Sequence, residues 1–337
     1  MTASAIETTQ REAQASSSPQ SRAQALARLK LSDVGFRLLT QLSAALVLLL
    51  LLGVAISLFI GSWPAFRAFG LDFFISDSWS PPKERFGAYA AIYGTLVTSA
   101  IAMLIGVPVG LGIAVFLTEL CPPSLRRPIG IAIELLAGIP SIIYGIWGVY
   151  YLKPIMQAYV QPAIIATLGA VPGVGLLFAG PPLGYGVLTA GLVLAVMILP
   201  FVTAISRDVF ETVPPVLKEA AYGVGATTFE VVGGIVIPYA RVGVIGGVML
   251  ALGRALGETM AVTFVIGNAH HVPHSVFAPG TTISATIANE FSEATTAMYQ
   301  SAVIELGLIL FFITFVVLAC AQLMLRSLER RAGGGSA

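Results

Sequence analysis

Charged residues are scarce in this chain of 337 residues. They make up 10% of the sequence, whereas about 25% is usual in soluble domains. Hydrophobic residues make up 56%, and the mean hydropathy is +0.88. These values exclude an ordinary soluble domain and indicate an integral membrane protein. The formal net charge of +1 gives no reason to expect a nucleic-acid partner.

Cysteine and histidine are also rare, which limits the chemistry open to the chain. Cys121 and Cys320 lie far apart and lack a metal-ligand spacing, so we expect free thiols. His270, His271 and His274 share one loop without a cysteine nearby, and we expect no metal site there. None of the four lysines follows a glycine, so the Gly-Lys-Ser/Thr signature of a phosphate-binding loop is missing. We expect no catalytic residues and no cofactor, and a partner must hydrolyse any ATP that drives this protein.

Long apolar runs, by contrast, are abundant. A helix needs about 20 apolar residues to cross the hydrocarbon core of a bilayer, and six runs of this length are present. We predict membrane-spanning helices at about 39–60, 91–117, 129–151, 185–205, 242–267 and 301–325. Pro108, Pro140 and Pro200 fall within these runs and should bend the helices, because proline removes a helical hydrogen bond.

The distribution of positive charge predicts the orientation of the chain. Thirteen of the 18 Lys and Arg residues lie in the two tails and in the second and fourth loops. Cytoplasmic segments carry this excess, so both termini are expected in the cytoplasm. We predict a disordered cytoplasmic tail at residues 1–38, a transmembrane domain at 39–325 and a cytoplasmic C-terminal tail at 326–337. The tract from Gly169 to Gly186 is predicted to be irregular or re-entrant.

The longest cytoplasmic loop, residues 206–241, joins the fourth and fifth spans. Pro214 and Pro215 precede a run of good helix formers, and proline is favourable just inside a helix start. A second apolar stretch, 229–237, should stop at Pro238. The loop is therefore predicted to be a helix–turn–helix that presents a surface to a cytoplasmic partner. The alternative is a loop helix that only links two spans.

The same loop resembles the EAA loop of ABC-importer permeases. The matching residues are Glu219, Ala220, Ala221, Gly225, Ile235 and Pro238, with Ile237 where the family usually has Leu. Further segments, 134–148, 253–268 and 283–294, resemble one branch of these permeases, the PstC family of bacterial high-affinity phosphate importers. The resemblance runs from about residue 35 to residue 330.

This resemblance implies an all-α integral membrane protein with six transmembrane helices and the type I ABC-importer (MetI-like) permease fold. It implies a cytoplasmic coupling helix in which Glu219, Ala220, Ala221 and Gly225 contact the ATPase. The implied partners are a homologous second permease (PstA-like), an ATPase dimer (PstB-like), an extracytoplasmic phosphate-binding protein (PstS-like) and the lipid bilayer. Such a chain imports inorganic phosphate across the bacterial inner membrane and is not itself an enzyme.

Two charged residues inside the fifth predicted span form the candidate substrate pathway. Arg254 and Glu258 are four residues apart, which places them on one face of a continuous helix. A guanidinium suits bidentate binding of phosphate oxygens, and charge inside a membrane is costly unless it is paired or hydrated. We predict that Arg254 contacts the anion or controls its passage, with Glu258 as the counter-charge. The alternative is a structural ion pair that joins this span to the partner permease.

Two other acids lie within the predicted spans. Glu134 begins one of the segments that resemble the phosphate permeases, and it is a secondary candidate for the pathway. Glu305 lies about one turn inside the last span, and we expect it to reach the membrane interface by snorkelling.

Two other functions remain open at the level of sequence. Arg254 suits sulfate or molybdate nearly as well as phosphate, so a permease for another oxyanion is one alternative. An autonomous secondary anion carrier is the other, although such carriers usually contain internal inverted repeats, and we find none in this sequence.

Overall fold

The computed structural model describes the backbone of residues 19–333 and the side chains of residues 33–326. Within these residues the chain is helical and contains no β-strand. In chain order, the helices are α1 (Pro19–Phe69), α2 (Asp72–Ile75), α3 (Tyr89–Val115), α4 (Pro123–Ala137), α5 (Ser141–Trp147), α6 (Lys153–Ile155), α7 (Gln161–Thr167), α8 (Val187–Glu211), α9 (Pro215–Gly223), α10 (Thr228–Val231), α11 (Ile237–Leu256), α12 (Met260–Ile266), α13 (Ile283–Glu290) and α14 (Ala297–Gly333). Wider π-helical turns extend or join some of them, at Phe116–Leu120, Gly148–Leu152, Met156–Val160 and Val232–Val236.

Five described helical stretches are long and apolar enough to cross a membrane. They are Asp33–Phe69, Tyr89–Leu120, Val187–Glu211, Thr228–Leu256 and Ala297–Arg326. A sixth is obtained if Pro123–Ala137 and Ser141–Thr167, which meet at 92°, are counted as one broken span. The predicted all-α, multi-span class is therefore confirmed, and the bend expected in the third span is a full break between two helices.

Pro140 causes the break in the third span, as predicted. It stands directly before α5, and because proline cannot donate a hydrogen bond it cannot continue α4. The Tyr144 hydroxyl donates to the Leu136 carbonyl oxygen at 2.8 Å. This bond satisfies a carbonyl at the end of α4, and such compensation is required wherever a helix is interrupted at membrane depth.

The fifth span begins earlier and ends earlier than its apolar pattern predicts. It runs over Thr228–Leu256 instead of 242–267, because Pro238 does not stop the helix. A π-helical turn over Val232–Val236 precedes this proline, and such turns absorb irregularities in helical hydrogen bonding. Pro238 then occupies the first turn of α11, where its missing N–H is tolerated. The second half of the predicted loop is thus continuous with the span.

Parts of both predicted tails are helical where the structure describes them. Residues 19–38 form the start of α1, and α14 continues to Gly333. Residues 20–30 are rich in Ala, Leu, Gln, Arg and Lys, which are strong helix formers, so a low content of large apolar residues did not prevent a helix. Residues 1–18 and 334–337, which complete the predicted tails, lie outside the described residues.

The chain divides into two compact units, Met1–Ser57 and Leu58–Ala337. In the first unit, the leucines and valines of α1 between residues 42 and 54 are exposed, as expected of a surface that faces lipid. In the second unit, α8 is the central helix, and both α3 and α11 pack against it. A Cβ at Gly106 of α3 would approach the Ile198 side chain to 2.8 Å, and one at Gly247 of α11 would approach Ile205 to 2.6 Å. Small residues therefore permit the close helix packing typical of membrane bundles.

Candidate functional site

The candidate pathway residues lie on either side of a helix break. Helix α11 ends at Leu256, Gly257 caps it, and α12 begins only at Met260. The Glu258 N–H reaches the Ala255 carbonyl oxygen at 3.4 Å, which closes a tight turn. The prediction that Arg254 and Glu258 share one helical face is therefore wrong, because the helix does not continue from the first residue to the second.

Arg254 is exposed, and an aromatic ring supports its charge. Its guanidinium carbon lies 4.6 Å from the centroid of the Phe201 ring, a cation–π contact worth about 0.5–1 kcal/mol at an exposed site. Within the described side chains, no carboxylate lies within 4.0 Å of this guanidinium. Its fork of N–H donors is therefore available to a ligand.

Glu258 is buried, with 9% of its surface exposed. Its Oε1 accepts a hydrogen bond from the Ala261 N–H at 3.2 Å, so the carboxylate caps the start of α12 and lies near the positive end of that short helix. The predicted role as the counter-charge of Arg254 is not supported by this geometry.

Glu134 contacts a residue that sequence reasoning did not select. Its Oε1 lies 2.8 Å from an Arg207 guanidinium nitrogen, and Arg207 also pairs with Asp208 at 2.9 Å. A Cβ at Gly130 would come within 2.8 Å of the Arg207 guanidinium, so this glycine makes room for it. The pair links α4 to the end of α8. The only sequence signal was that Arg207 is a cation at a span end.

Glu305 does not reach the interface by snorkelling. It is 2% exposed, and neither carboxylate oxygen has a hydrogen-bond partner in the described part of the chain. The residue lies about two turns after Ala297, where α14 packs among Leu306, Val303 and the other members of an apolar cluster.

The predicted coupling surface is an exposed helix followed by a tight turn. Glu219 and Ala220 of α9 are exposed, and Ala221 is half-buried against the body of the protein. Gly225 has φ of +90°, which non-glycine residues rarely adopt. The next helix starts with a reciprocal cap, in which Glu230 accepts from the Thr227 N–H at 2.8 Å.

The exposed side of this segment is strongly apolar. Val224 is 87% exposed and Phe229 is 86% exposed, and three apolar or aromatic side chains of α9 are exposed as well: Val216, Leu217 and Tyr222. Large exposed apolar patches rimmed by polar residues mark protein interaction sites. The region around Glu219 therefore has the character of a docking surface.

An ion pair that the sequence did not reveal ties α9 to the end of the second span. Lys218 Nζ lies 2.6 Å from Glu119 Oε1, and their side chains are 19% and 6% exposed. Glu119 lies in the π-helical turn that extends α3. The two residues are 99 positions apart in sequence, so only the fold brings them together.

The three histidines do not meet in one site. The His270 ring stacks on Trp79, with ring centroids 5.5 Å apart, and its Nε2 lies 3.3 Å from Glu290 Oε1. Burial lowers the pKa of His270, and the nearby Glu290 carboxylate opposes that effect. Trp79 Nε1 and the Tyr299 hydroxyl both donate to Glu290 Oε2. The described side chains contain no group of three or more His, Cys, Asp or Glu residues placed to hold a metal.

Comparison with known proteins places this geometry in a family. The protein-family model described as binding-protein-dependent transport system inner membrane component matches residues 106–334. The phosphate transport system permease protein PstC of Mesorhizobium japonicum is 63% identical over 306 residues, which cover 91% of this chain and 94% of that protein. The protein of the same name from Pasteurella multocida is 54% identical, covering 88% of this chain and 93% of that protein.

Solved ABC transporters share the fold at low sequence identity. A chain of the bacterial alginate ABC transporter, in complex with alginate pentasaccharide-bound periplasmic protein, has a TM-score of 0.57 and 17% identity, covering 88% of this chain and 96% of that chain. A chain of the inward-facing MetNI methionine ABC transporter has a TM-score of 0.53 and 16% identity, covering 74% and 99%. At this identity the likeness concerns the fold alone, and it confirms the predicted ABC-permease architecture.

Proposed function

The chain belongs to the family of binding-protein-dependent transport permeases, and we infer that it is the permease subunit of an ABC importer for inorganic phosphate. The observation that carries this inference is the 63% identity, over 91% of the chain, to a phosphate transport permease. A hydrophobic pocket can tolerate changes in a ligand, but recognition of an anion depends on a few polar groups. Relatives this similar are expected to keep those groups.

Arg254 is the proposed contact of the anion with the membrane path. Its guanidinium is held over the Phe201 ring at 4.6 Å, with no described carboxylate to neutralise it. A planar fork of N–H donors suits bidentate binding of phosphate oxygens. Glu258 acts indirectly in this proposal, because its carboxylate caps α12 at the break that follows Leu256.

The surface around α9 is the proposed docking site of the ATPase. Glu219, Ala220 and Gly225 are exposed there, and the small side chains allow a partner to approach closely. ATP hydrolysis on that partner would push on α9. The Lys218–Glu119 pair would then transmit the push to the end of the second span, and the continuous helix over Thr228–Leu256 would carry it toward Arg254.

The proposed assembly contains a homologous second permease, an ATPase dimer and an extracytoplasmic phosphate-binding protein. The α9 surface faces the cytoplasm in this arrangement, in agreement with the excess of Lys and Arg in the tails and in loops two and four. The exposed apolar residues of α1 are available to lipid or to the second permease.

The anion that couples to ATP hydrolysis tests this function. The complete importer is reconstituted in liposomes, and its ATPase rate is measured with binding protein plus phosphate, sulfate or molybdate. We expect phosphate alone to raise the rate and to accumulate inside the vesicles. Stimulation by sulfate or molybdate without a response to phosphate would overturn the substrate assignment, and uptake by this chain without any ATPase would overturn the permease assignment.

A further inference from the structure

A cavity of ≈ 220 Å³ lies near the end of the bundle away from α9, and the function proposed above does not use it. A water molecule occupies about 30 Å³ of liquid, so the cavity has room for a small oxyanion with some of its hydration. Its lining residues come from the third span, from the loop before α8 and from the end of α12: Val149, Lys153, Tyr185, Phe264, Val265 and Gly267.

We propose that this cavity is a phosphate-binding site at the outer mouth of the permease, in which Lys153 and Tyr185 receive the anion before it reaches Arg254. The proposal rests on the phosphate-permease function inferred above. It assigns Lys153 a role in loading the path, distinct from the role of Arg254 inside it.

The first argument is the state of the Lys153 charge. The ammonium lies 5.1 Å from the centroid of the Tyr185 ring, and no carboxylate of the described side chains lies within 4.0 Å of it. An ammonium has three N–H donors, and a ring face uses none of them in an ordinary hydrogen bond. Lys153 can therefore offer both charge and donors to an anion in the cavity.

The second argument is that the Tyr185 ring is held in place by its surroundings. Gly186 has φ of +137°, and its N–H donates to the Val265 carbonyl oxygen at 3.0 Å. On the other side, the Gly184 N–H donates to the buried Gln161 Oε1 at 2.9 Å. A Cβ at Gly267 would come within 2.9 Å of the Tyr185 ring, so a glycine is needed for this approach. The Tyr185 hydroxyl makes no hydrogen bond to a described residue and can donate to an anion.

The third argument is that Lys153 is not the only cation without a carboxylate partner. Like Lys153, Arg254 has no carboxylate of the described side chains within 4.0 Å of it. Clefts of one charge sign raise the local concentration and the arrival rate of the opposite ion, so two uncommitted cations favour the entry of an anion.

Replacement of the charge tests the site in the complete importer. We expect Lys153→Met to lower phosphate uptake at subsaturating phosphate by about ten- to a hundredfold, the range expected for a lost hydrogen bond to a charged group. Lys153→Arg should retain most of the uptake. The matched control is Lys83→Met, because Lys83 is exposed, lies in a loop predicted on the same side, and does not line the cavity.

A thiol assay separates charge from folding in a single assembled sample. Cys121 is buried and Cys320 is exposed, so Lys153→Cys is made together with Cys320→Ser. Reaction of the introduced thiol with aminoethyl methanethiosulfonate restores a side chain like that of lysine and should restore uptake, whereas methyl methanethiosulfonate should not. Inorganic phosphate should slow both reactions, while the thiol of a Lys83→Cys control should react at the same rate with and without it.

The outcomes distinguish this inference from the function beneath it. If the unmodified importer takes up phosphate and Lys153→Met does so at the same rate, the loading site is refuted and the function stands. Equal restoration by the charged and the neutral reagent also refutes it. If the unmodified importer does not take up phosphate, the proposed function itself fails.

Discussion

Positively charged side chains have different partners in two regions of this chain: carboxylates in one and aromatic rings in the other. Around α9, Lys218 and Arg207 each have a carboxylate partner, Glu119 at 2.6 Å and Glu134 at 2.8 Å. In the bundle, Arg254 stacks over a ring at 4.6 Å and Lys153 over another at 5.1 Å. The paired cations tie helices together and have little charge left for a ligand. The stacked cations remain attractive to an anion.

The difference has a physical basis in the strength of the two contacts. An ion pair at hydrogen-bond distance neutralises both partners, and removing one member leaves the other uncompensated. A cation–π contact stabilises a cation by about 0.5–2 kcal/mol without adding negative charge. A permease needs both types, because its helices must move together while its path must hold an anion without trapping it.

The largest predicted effect concerns the stacked cation in the path. Arg254→Gln removes the charge and most of the N–H donors, and we expect phosphate uptake to fall by about a hundredfold or more, as expected for loss of at least one bond between charged groups. Arg254→Lys keeps the charge without the fork and should give an intermediate rate. Uptake of labelled phosphate by reconstituted importer is the measurement, with subunit composition as the control. Normal uptake by Arg254→Gln would contradict the comparison, because it would show that transport does not need the cation stacked on Phe201.

Loss of the paired cation at α9 should affect stability and coupling together. Lys218→Met leaves the Glu119 carboxylate, which is 6% exposed, without its partner, at a cost on the order of 1–3 kcal/mol. We expect a lower apparent Tm of the purified complex and weaker stimulation of ATP hydrolysis by phosphate. The double variant Glu119→Gln/Lys218→Met should recover part of the Tm. An unchanged Tm in Lys218→Met would show that the Lys218–Glu119 pair does not stabilise the complex.

Glu134→Gln should have a smaller effect. The Glu134 side chain is 48% exposed, and Arg207 keeps Asp208 as a second partner. Exposed ion pairs contribute about 0–1 kcal/mol, so phosphate uptake should fall less than about threefold. The same uptake assay measures it, with Glu134→Asp as the matched variant. Abolished uptake in a correctly assembled complex would instead make Glu134 a pathway residue, as the sequence first suggested.

The smallest predicted effect concerns His270. Its partner is the Glu290 carboxylate, but burial disfavours the protonated form of its imidazole. Burial places its pKa below the ordinary value of 6.5. Its contribution to stability is therefore present above about pH 6.5 and is lost as the pH falls toward the lowered pKa of the folded state. We expect His270→Gln to reduce the loss of Tm on acidification from pH 7 to pH 5. An identical pH profile in both proteins would contradict this account.

The sequence predicted the all-α, multi-span membrane class, because composition and the length of apolar runs determine it. The roles of the α9 surface and of Arg254 stay predictions, which rest on local helix signals and on one rare residue type. The sequence did not predict the partners of Glu119 or Glu134, since those pairs join residues distant in sequence. Spacing also misplaced Glu258: two residues four apart share a face only if the helix continues, and Gly257 ends it. The early start of the fifth span was missed because a π-helical turn made Pro238 compatible with helix.

The central claim is that Lys218 serves a structural ion pair with Glu119, whereas Arg254 serves the anion and not Glu258. Exchanging the charges between Lys218 and Glu119, and between Arg254 and Glu258, tests this claim most directly. Phosphate uptake is measured for Glu119→Lys/Lys218→Glu and for Arg254→Glu/Glu258→Arg, each beside its single variants. We expect the first exchange to recover much of the uptake lost in its single variants, because a contact at 2.6 Å can form with either polarity. The second exchange should remain inactive, because Arg254 serves the anion and not Glu258. Recovery of uptake in the second exchange would contradict the account, since it would identify Arg254 as one member of a structural ion pair.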